Sequence, residues 1–149
     1  KRSNEVKYHK GEVAFPGGGV TSQDGNLLDT ALRELREEMG VSPKDVDLVG
    51  RLDDVTTRTS FVVTPFVGTI TYPYLFTPSP LEVDEVIEIP LSDLLDPSLL
   101  REEVHWVDGS CNKSYSYVWK GNIIHGATAR ILDQYLQLIR NIYDRENQE

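Results

Sequence analysis

Three glutamates, Glu34, Glu37 and Glu38, fall inside one apolar-periodic segment, with a glycine triplet, Gly17, Gly18 and Gly19, upstream of it. No other feature constrains the chain as much. At about 100° per residue, Glu37 and Glu38 lie about 60° to one side and about 40° to the other of Glu34, so the acids share one helix face. Leu28, Ala31, Leu32, Leu35 and Met39 fill the adjoining sector and are expected to pack on a sheet. Three carboxylates this close repel each other and cost helix stability unless a cation sits among them. A hard divalent ion that prefers oxygen ligands, Mg²⁺ or Mn²⁺, is the physical reason to keep them together. The competing reading is a solvated acidic face.

The glycine loop decides between the two. Phe15-Pro-Gly-Gly-Gly19 and the segment Arg-Glu-Leu-Arg-Glu-Glu-Met-Gly-Val at 33–41 resemble the Nudix box. That box is the loop–helix signature of metal-dependent hydrolases of nucleoside diphosphates linked to another group. It reads glycine, five residues, glutamate, seven residues, then Arg-Glu-apolar-x-Glu-Glu-x-Gly-apolar. Residues 33–41 fit each fixed position. The earlier half departs: counted from Gly18 the loop is one residue too long, and counted from Gly19 the glutamate position holds Gly25, with Asp24 beside it.

A longer pattern accounts for that departure. Arg2-Ser3, Lys7, Gly11, Val13, Phe15-Pro-Gly-Gly18, Asp24 and Thr30-Ala31 resemble the coenzyme A diphosphatase branch of the Nudix hydrolases. The extra loop residue is usual in that branch. Lys7 stands where arginine is usual and Thr21 where a first aspartate is usual. Lys7 keeps the charge but loses the bidentate fork. Glu82-Val83, the segment at 90–97 and Ile124-His125-Gly126 extend the likeness.

The resemblance implies an α/β fold, a Nudix-type α/β/α sandwich with a mixed central sheet. It implies an enzyme that splits the pyrophosphate of coenzyme A into 3′,5′-ADP and 4′-phosphopantetheine, or its acyl form, with Mg²⁺ or Mn²⁺ as cofactor. Glu34, Glu37 and Glu38 would carry the metal, with the backbone carbonyl of Gly18 or Gly17. Glu34 could instead be the base for the attacking water. Arg33 would orient the carboxylates through Glu37 at i+4. A further acid is expected from Glu82, with Glu85 the other candidate. Arg2 and Lys7, with Arg58 a third candidate, would hold the substrate's anionic end, near the Gly17 backbone. Two other readings stay open: hydrolysis of another nucleoside diphosphate derivative such as ADP-ribose or a dinucleotide, and a non-catalytic Nudix-fold binding module, whose signature, loss of the box acids, is missing here.

Composition narrows the partners. Fifteen basic against 24 acidic residues give a net charge of −9, which argues against a nucleic-acid or anionic-membrane surface. The expected partner is a small, metal-bridged substrate, and a homodimer is compatible with the sequence. At 149 residues the chain is the size of one domain, expected to span 1–149. It opens at Lys1 without methionine, so an N-terminal strand is expected to precede residue 1. No apolar run is long enough to span a bilayer, and a single cysteine, Cys111, makes a reducing cytoplasm the default. That thiol is expected to be buried or idle. His9, His105 and His125 are not spaced like a zinc site.

Along the chain, strands are expected at 13–15, 46–52, 61–70 and 83–89. Pro65 marks an edge or bulge in the third. Helices are expected at 27–39, with Gly40 as C-cap, and from Gly126 to about Arg145, with Ile131, Tyr135, Leu138, Ile139 and Ile142 on one face. Residues 91–95 read as one helical turn. A hairpin pairs 104–107 with 115–119 around Asp108-Gly109 and Asn112-Lys113. The stretch at 72–80, with Tyr72, Tyr74 and Phe76, reads as a packed surface loop.

Overall fold

The computed structural model describes residues 1–107 and 109–146. In chain order the elements are α1 (Leu27–Met39), β1 (Asp47–Arg51), β2 (Val55–Thr56), β3 (Val62–Val63), β4 (Phe66–Thr69), α2 (Leu91–Leu94), β5 (Leu100–Val107), β6 (Ser110–Trp119), β7 (Asn122–Ile124) and α3 (Gly126–Glu146). Single 3₁₀ turns lie at Pro43–Asp45 and Pro97–Leu99. The α/β class is as expected. The strands form three antiparallel ladders, β1 with β4, β2 with β3, and β5-β6-β7. No helix among the described residues is long and apolar enough to cross a membrane.

Two compact units are present. One joins Lys1–Leu52 to Thr64–Ile87, and the other joins Asp53–Val63 to Glu88–Glu149. In the first, α1 has its expected bounds, but its apolar sector is only half-buried. The residues it buries fully are polar, Thr30 and Glu38. Two expected strands form no ladder among the described residues. At 12 and 83–84 the backbone is bonded to the N-terminal segment instead. Arg2 N–H donates to Glu12 O at 2.9 Å, Arg2 bridges Val83, and Asp84 N–H donates to Lys1 O at 3.0 Å. The expected strand at 61–70 is split into β3 and β4 at Thr64-Pro65, where proline has no N–H for a ladder. The loop at 72–80 packs on the 3₁₀ turn. Tyr74 Oη donates to Asp45 Oδ2 at 2.8 Å and accepts the Ser42 N–H at 3.2 Å, with the Phe76 ring 5.4 Å from its own.

The second unit is held by apolar burial. β5 pairs with β6 from Leu100↔Tyr117 to Val107↔Ser110, longer than expected because the ladder continues through 110–114. Asp108, in the expected turn, lies outside the described residues. Tyr117 is fully buried, as is Leu136, with Ile124, Ala129 and Leu132 completing the core. The buried stripe of α3 is therefore Ala129, Leu132 and Leu136, whereas Leu138 and Ile142 of the expected face are exposed. The partner decides the rotation: Tyr117 Oη donates to Asp133 Oδ1 at 2.9 Å, on the stripe's side of the helix. Cys111 is exposed on β6, not buried.

Candidate active site

The site lies in the first unit, where α1 is fixed at both ends. Asn26 Oδ1 accepts the N–H groups of Leu28 and Asp29 at 2.8 and 3.0 Å, satisfying two donors that a helix start leaves open. Gly40 closes the other end with φ 73°, its N–H donating to Arg36 O at 2.9 Å. Glycine is required here twice over, since a Cβ would also run into Thr77. Thr77 N–H then donates to Met39 O at 3.1 Å and Ser79 N–H to Glu38 O at 3.0 Å. These bonds draw the segment leading to Glu82 onto the carboxyl end of α1. Ser3 N–H donates to Glu82 O at 2.9 Å and places Arg2 beside the same end.

Arg33 is the hub of the cluster. Its Nη1 donates to Glu34 Oε1 at 2.8 Å and Glu37 Oε2 at 3.1 Å. Nε and Nη2 donate to the two oxygens of Asp24 at 2.9 and 3.1 Å, and Nη2 also to Gly19 O at 3.0 Å. All five guanidinium N–H groups thus have acceptors. The bond to Asp24 raises Arg33 further above its ordinary range and holds the Asp24 carboxyl well below the usual carboxylate range, with the Thr21 N–H assisting. Thr21 donates to Asp24 Oδ2 from its N–H at 2.8 Å and from Oγ1 at 3.1 Å.

Glu38 differs from its neighbours. It is only 8% exposed, and its Oε2 accepts the Gly17 N–H at 3.0 Å. Arg2 Nη1 lies 3.8 Å from Oε1. Burial pushes its carboxyl above the ordinary value. The Gly17 N–H and Arg2 pull it back, while the charges of Glu34 and Glu82 push it further up. Arg2 Nε is buried without a hydrogen-bond partner among the described residues. Gly18 abuts the Glu34 carboxylate so closely that a Cβ would overlap it.

Among the residues singled out from sequence, Arg2, Gly17, Gly18, Arg33, Glu34, Glu37 and Glu38 therefore come together, with Glu82 close enough to act on Glu38. Lys7 does not join them; its ammonium sits 5.1 Å from the centre of the exposed Tyr8 ring. Arg58 belongs to the second unit. Sequence reasoning marked Asp24 as an oddity of the loop but not as the partner of Arg33. The available signal was its place beside the vacant glutamate position of the box.

The donor set suits a hard divalent cation: carboxylate and carbonyl oxygens only, on a helix face closed by a side-chain-free Gly18. Among the described residues no three acidic, histidine or cysteine side chains converge on one point. Guanidinium charge takes that role instead, Arg33 on Glu34 and Glu37 and Arg2 on Glu38. The residues fit the ion in kind and location, and loading it requires the carboxylates to turn from their arginines.

A sequence model described as the NUDIX domain matches residues 1–108, which includes the whole cluster. The chain is 33% identical over 144 residues to a Nudix hydrolase named NudL from Photorhabdus laumondii, covering 94% of this chain and 75% of the relative. It is 34% identical over 143 residues to a NudL of Yersinia enterocolitica, covering 93% and 71%. To a NudL of an Enterobacter strain it is 44% identical over 95 residues, covering 64% of this chain and 50% of the relative. The chain thus spans between half and three-quarters of these relatives. Members of this family generally use divalent metals such as Mg²⁺ or Mn²⁺. With the box acids gathered on α1 and the match running through both loop and helix, the chain belongs to the Nudix hydrolase family.

Proposed function

We propose that the protein hydrolyses the pyrophosphate linkage of coenzyme A or an acyl derivative, giving 3′,5′-ADP and 4′-phosphopantetheine or its acyl form. The observation that carries this reading is the long glycine loop, whose Asp24 closes onto the acidic helix through Arg33. Loop length and Asp24 are the features that resemble the coenzyme A branch, and the acids of α1 supply the hydrolytic side.

Glu34, Glu37 and Glu38, with the carbonyl of Gly18, would hold Mg²⁺ or Mn²⁺. The bound cation would neutralise charge spreading over the non-bridging phosphate oxygens. Arg33 keeps Glu34 and Glu37 side by side. Arg2 would meet a phosphate oxygen through Nε, a buried donor with nothing to bond. Glu82, exposed beside Glu38, would take the proton of the attacking water or complete the ligand set, and Glu34 is the other candidate base. Lys7 would act at a distance, as a charge that draws in the anionic end.

The position of Lys7 favours a second reading. With lysine replacing the branch's arginine and lying over Tyr8, another nucleoside diphosphate derivative becomes the alternative substrate. A panel of coenzyme A, acyl-coenzyme A, ADP-ribose and dinucleotides, each with Mg²⁺ and Mn²⁺, separates the two. Coenzyme A or its acyl forms should lead in kcat/KM, with 3′,5′-ADP as product. ADP-ribose or a dinucleotide ranking well above them would replace the first reading by the second.

A further inference from the structure

Glu34 and Glu37 share a single nitrogen, Nη1 of Arg33. A carboxylate oxygen committed to that N–H is not free for a metal, so loading a cation means withdrawing both acids from Arg33. The guanidinium cannot then turn to water, because its side chain is only 15% exposed. A charge left unpaired in such a place is costly, and the cost would be subtracted from metal affinity.

Asp24 removes that difficulty. Its side chain is 3% exposed and grips Nε and Nη2 in a bidentate fork on the side of the guanidinium away from Nη1. Gly19 O holds Nη2 from the glycine loop. Thr21 fixes Asp24 in turn through its N–H and hydroxyl. None of these bonds involves the oxygens that a cation would use. The loop's extra residue matters here, because the anchor stands one position before the vacant glutamate site at Gly25 and has a shorter side chain.

From this geometry we infer that Asp24 is a positioning residue for metal binding, holding Arg33 in place when Glu34 and Glu37 turn from it to a divalent cation. Asp24 touches neither metal nor substrate. The inference rests on the reading of α1 as the metal-binding element and adds a residue to it.

The test measures Mn²⁺ affinity of the full chain by electron paramagnetic resonance of the free ion, with no turnover involved. Asp24→Asn should weaken binding about tenfold while far-UV circular dichroism stays that of the wild type. Asn26→Ala loosens the same helix at its cap without touching Arg33, and its affinity should stay within about twofold of wild type. In an Arg33→Gln background, adding Asp24→Asn should change affinity by less than about twofold, since the anchor then has nothing to hold. Wild-type affinity in Asp24→Asn, equal losses in Asn26→Ala, or additive losses in the double variant would each overturn the inference. Should Asp24→Asn fold poorly, Asp24→Glu keeps the charge but displaces it, and a few-fold weakening is expected; undiminished affinity would count against the anchor. Glu37→Gln separates the two levels. Weak Mn²⁺ binding there beside wild-type binding in Asp24→Asn defeats the anchor alone, whereas undiminished binding in Glu37→Gln defeats the metal reading and the anchor with it.

Discussion

The two compact units solve burial in opposite ways. In the first, the buried set includes Ser3, Thr30 and Glu38 beside Val41, and the surrounding order comes from directional bonds to Arg33, Asp24 and Gly17. In the second, Tyr117, Ile124, Ala129, Leu132 and Leu136 make an apolar core with one polar tie, Tyr117 to Asp133. Apolar burial is non-directional and scales with area, so it gives stability with tolerance of geometry. A hydrogen-bonded charge cluster gives geometry with little net stability, because desolvation offsets much of the attraction. Chemistry needs the second kind of order and a stable fold needs the first. The chain keeps them apart.

Substitutions sharpen this contrast. The largest expected effect is on turnover: Glu37→Gln should lower kcat by about a thousandfold, the order seen when a transition-state electrostatic group is lost, with Tm barely moved. A rate within tenfold of wild type would take Glu37 out of the machinery. On the apolar side, Leu136→Ala should cost about 2–5 kcal/mol in urea denaturation, because a fully buried leucine leaves a cavity. The kcat per folded molecule should be preserved. Equal damage to rate and stability in both variants would erase the distinction between the units.

Asn26→Ala probes the frame of the site rather than its charges. Losing the cap that serves Leu28 and Asp29 should cost about 1 kcal/mol, read as a shift in the denaturation midpoint. The smallest effect has an unusual sign. Burial raises the Glu38 carboxyl above its unfolded value, so the native state holds that proton more tightly than the unfolded chain. Through the window from the unfolded value up to the raised one, metal-free stability falls as pH rises. Glu38→Gln mimics the protonated acid and should raise the metal-free Tm by roughly 2–4 °C at pH 7, while removing metal-dependent activity. The gain should shrink as pH falls toward the ordinary glutamate range. A Tm below wild type at pH 7 would show that Arg2 and the Gly17 N–H outweigh desolvation.

What sequence could disclose follows from which interactions are local. The bounds of α1 were legible because the Asn26 cap, the glycine at 40 and the 3.6-residue period all lie within the segment itself. The carboxylate cluster was legible for the same reason, since helix geometry alone aligns Glu34, Glu37 and Glu38. Strands at 13–15 and 83–89 were not, because a ladder needs a partner, and the N-terminal segment took the bonds at 12 and 83–84. The buried stripe of α3 depended on Tyr117, a residue of another element. The Asp24–Arg33 pair spans a loop and a helix, and composition marks only that an acid is nearby. The burial of Glu38 was invisible too, since a glutamate on an amphipathic helix normally reads as solvent-facing.

The attachment of the 77–82 segment to α1 carries an evolutionary corollary. Thr77 and Ser79 hold the helix end through main-chain N–H groups, to the carbonyls of Met39 and Glu38. Such bonds do not depend on which side chains the segment bears. Leu75 and Leu81, at 87% and 71% exposed, can be exchanged without unfastening Glu82 from its place beside Glu38. Selection for a new substrate can therefore rewrite this stretch while the acids of the helix stay untouched, so that preference and chemistry vary independently along one chain.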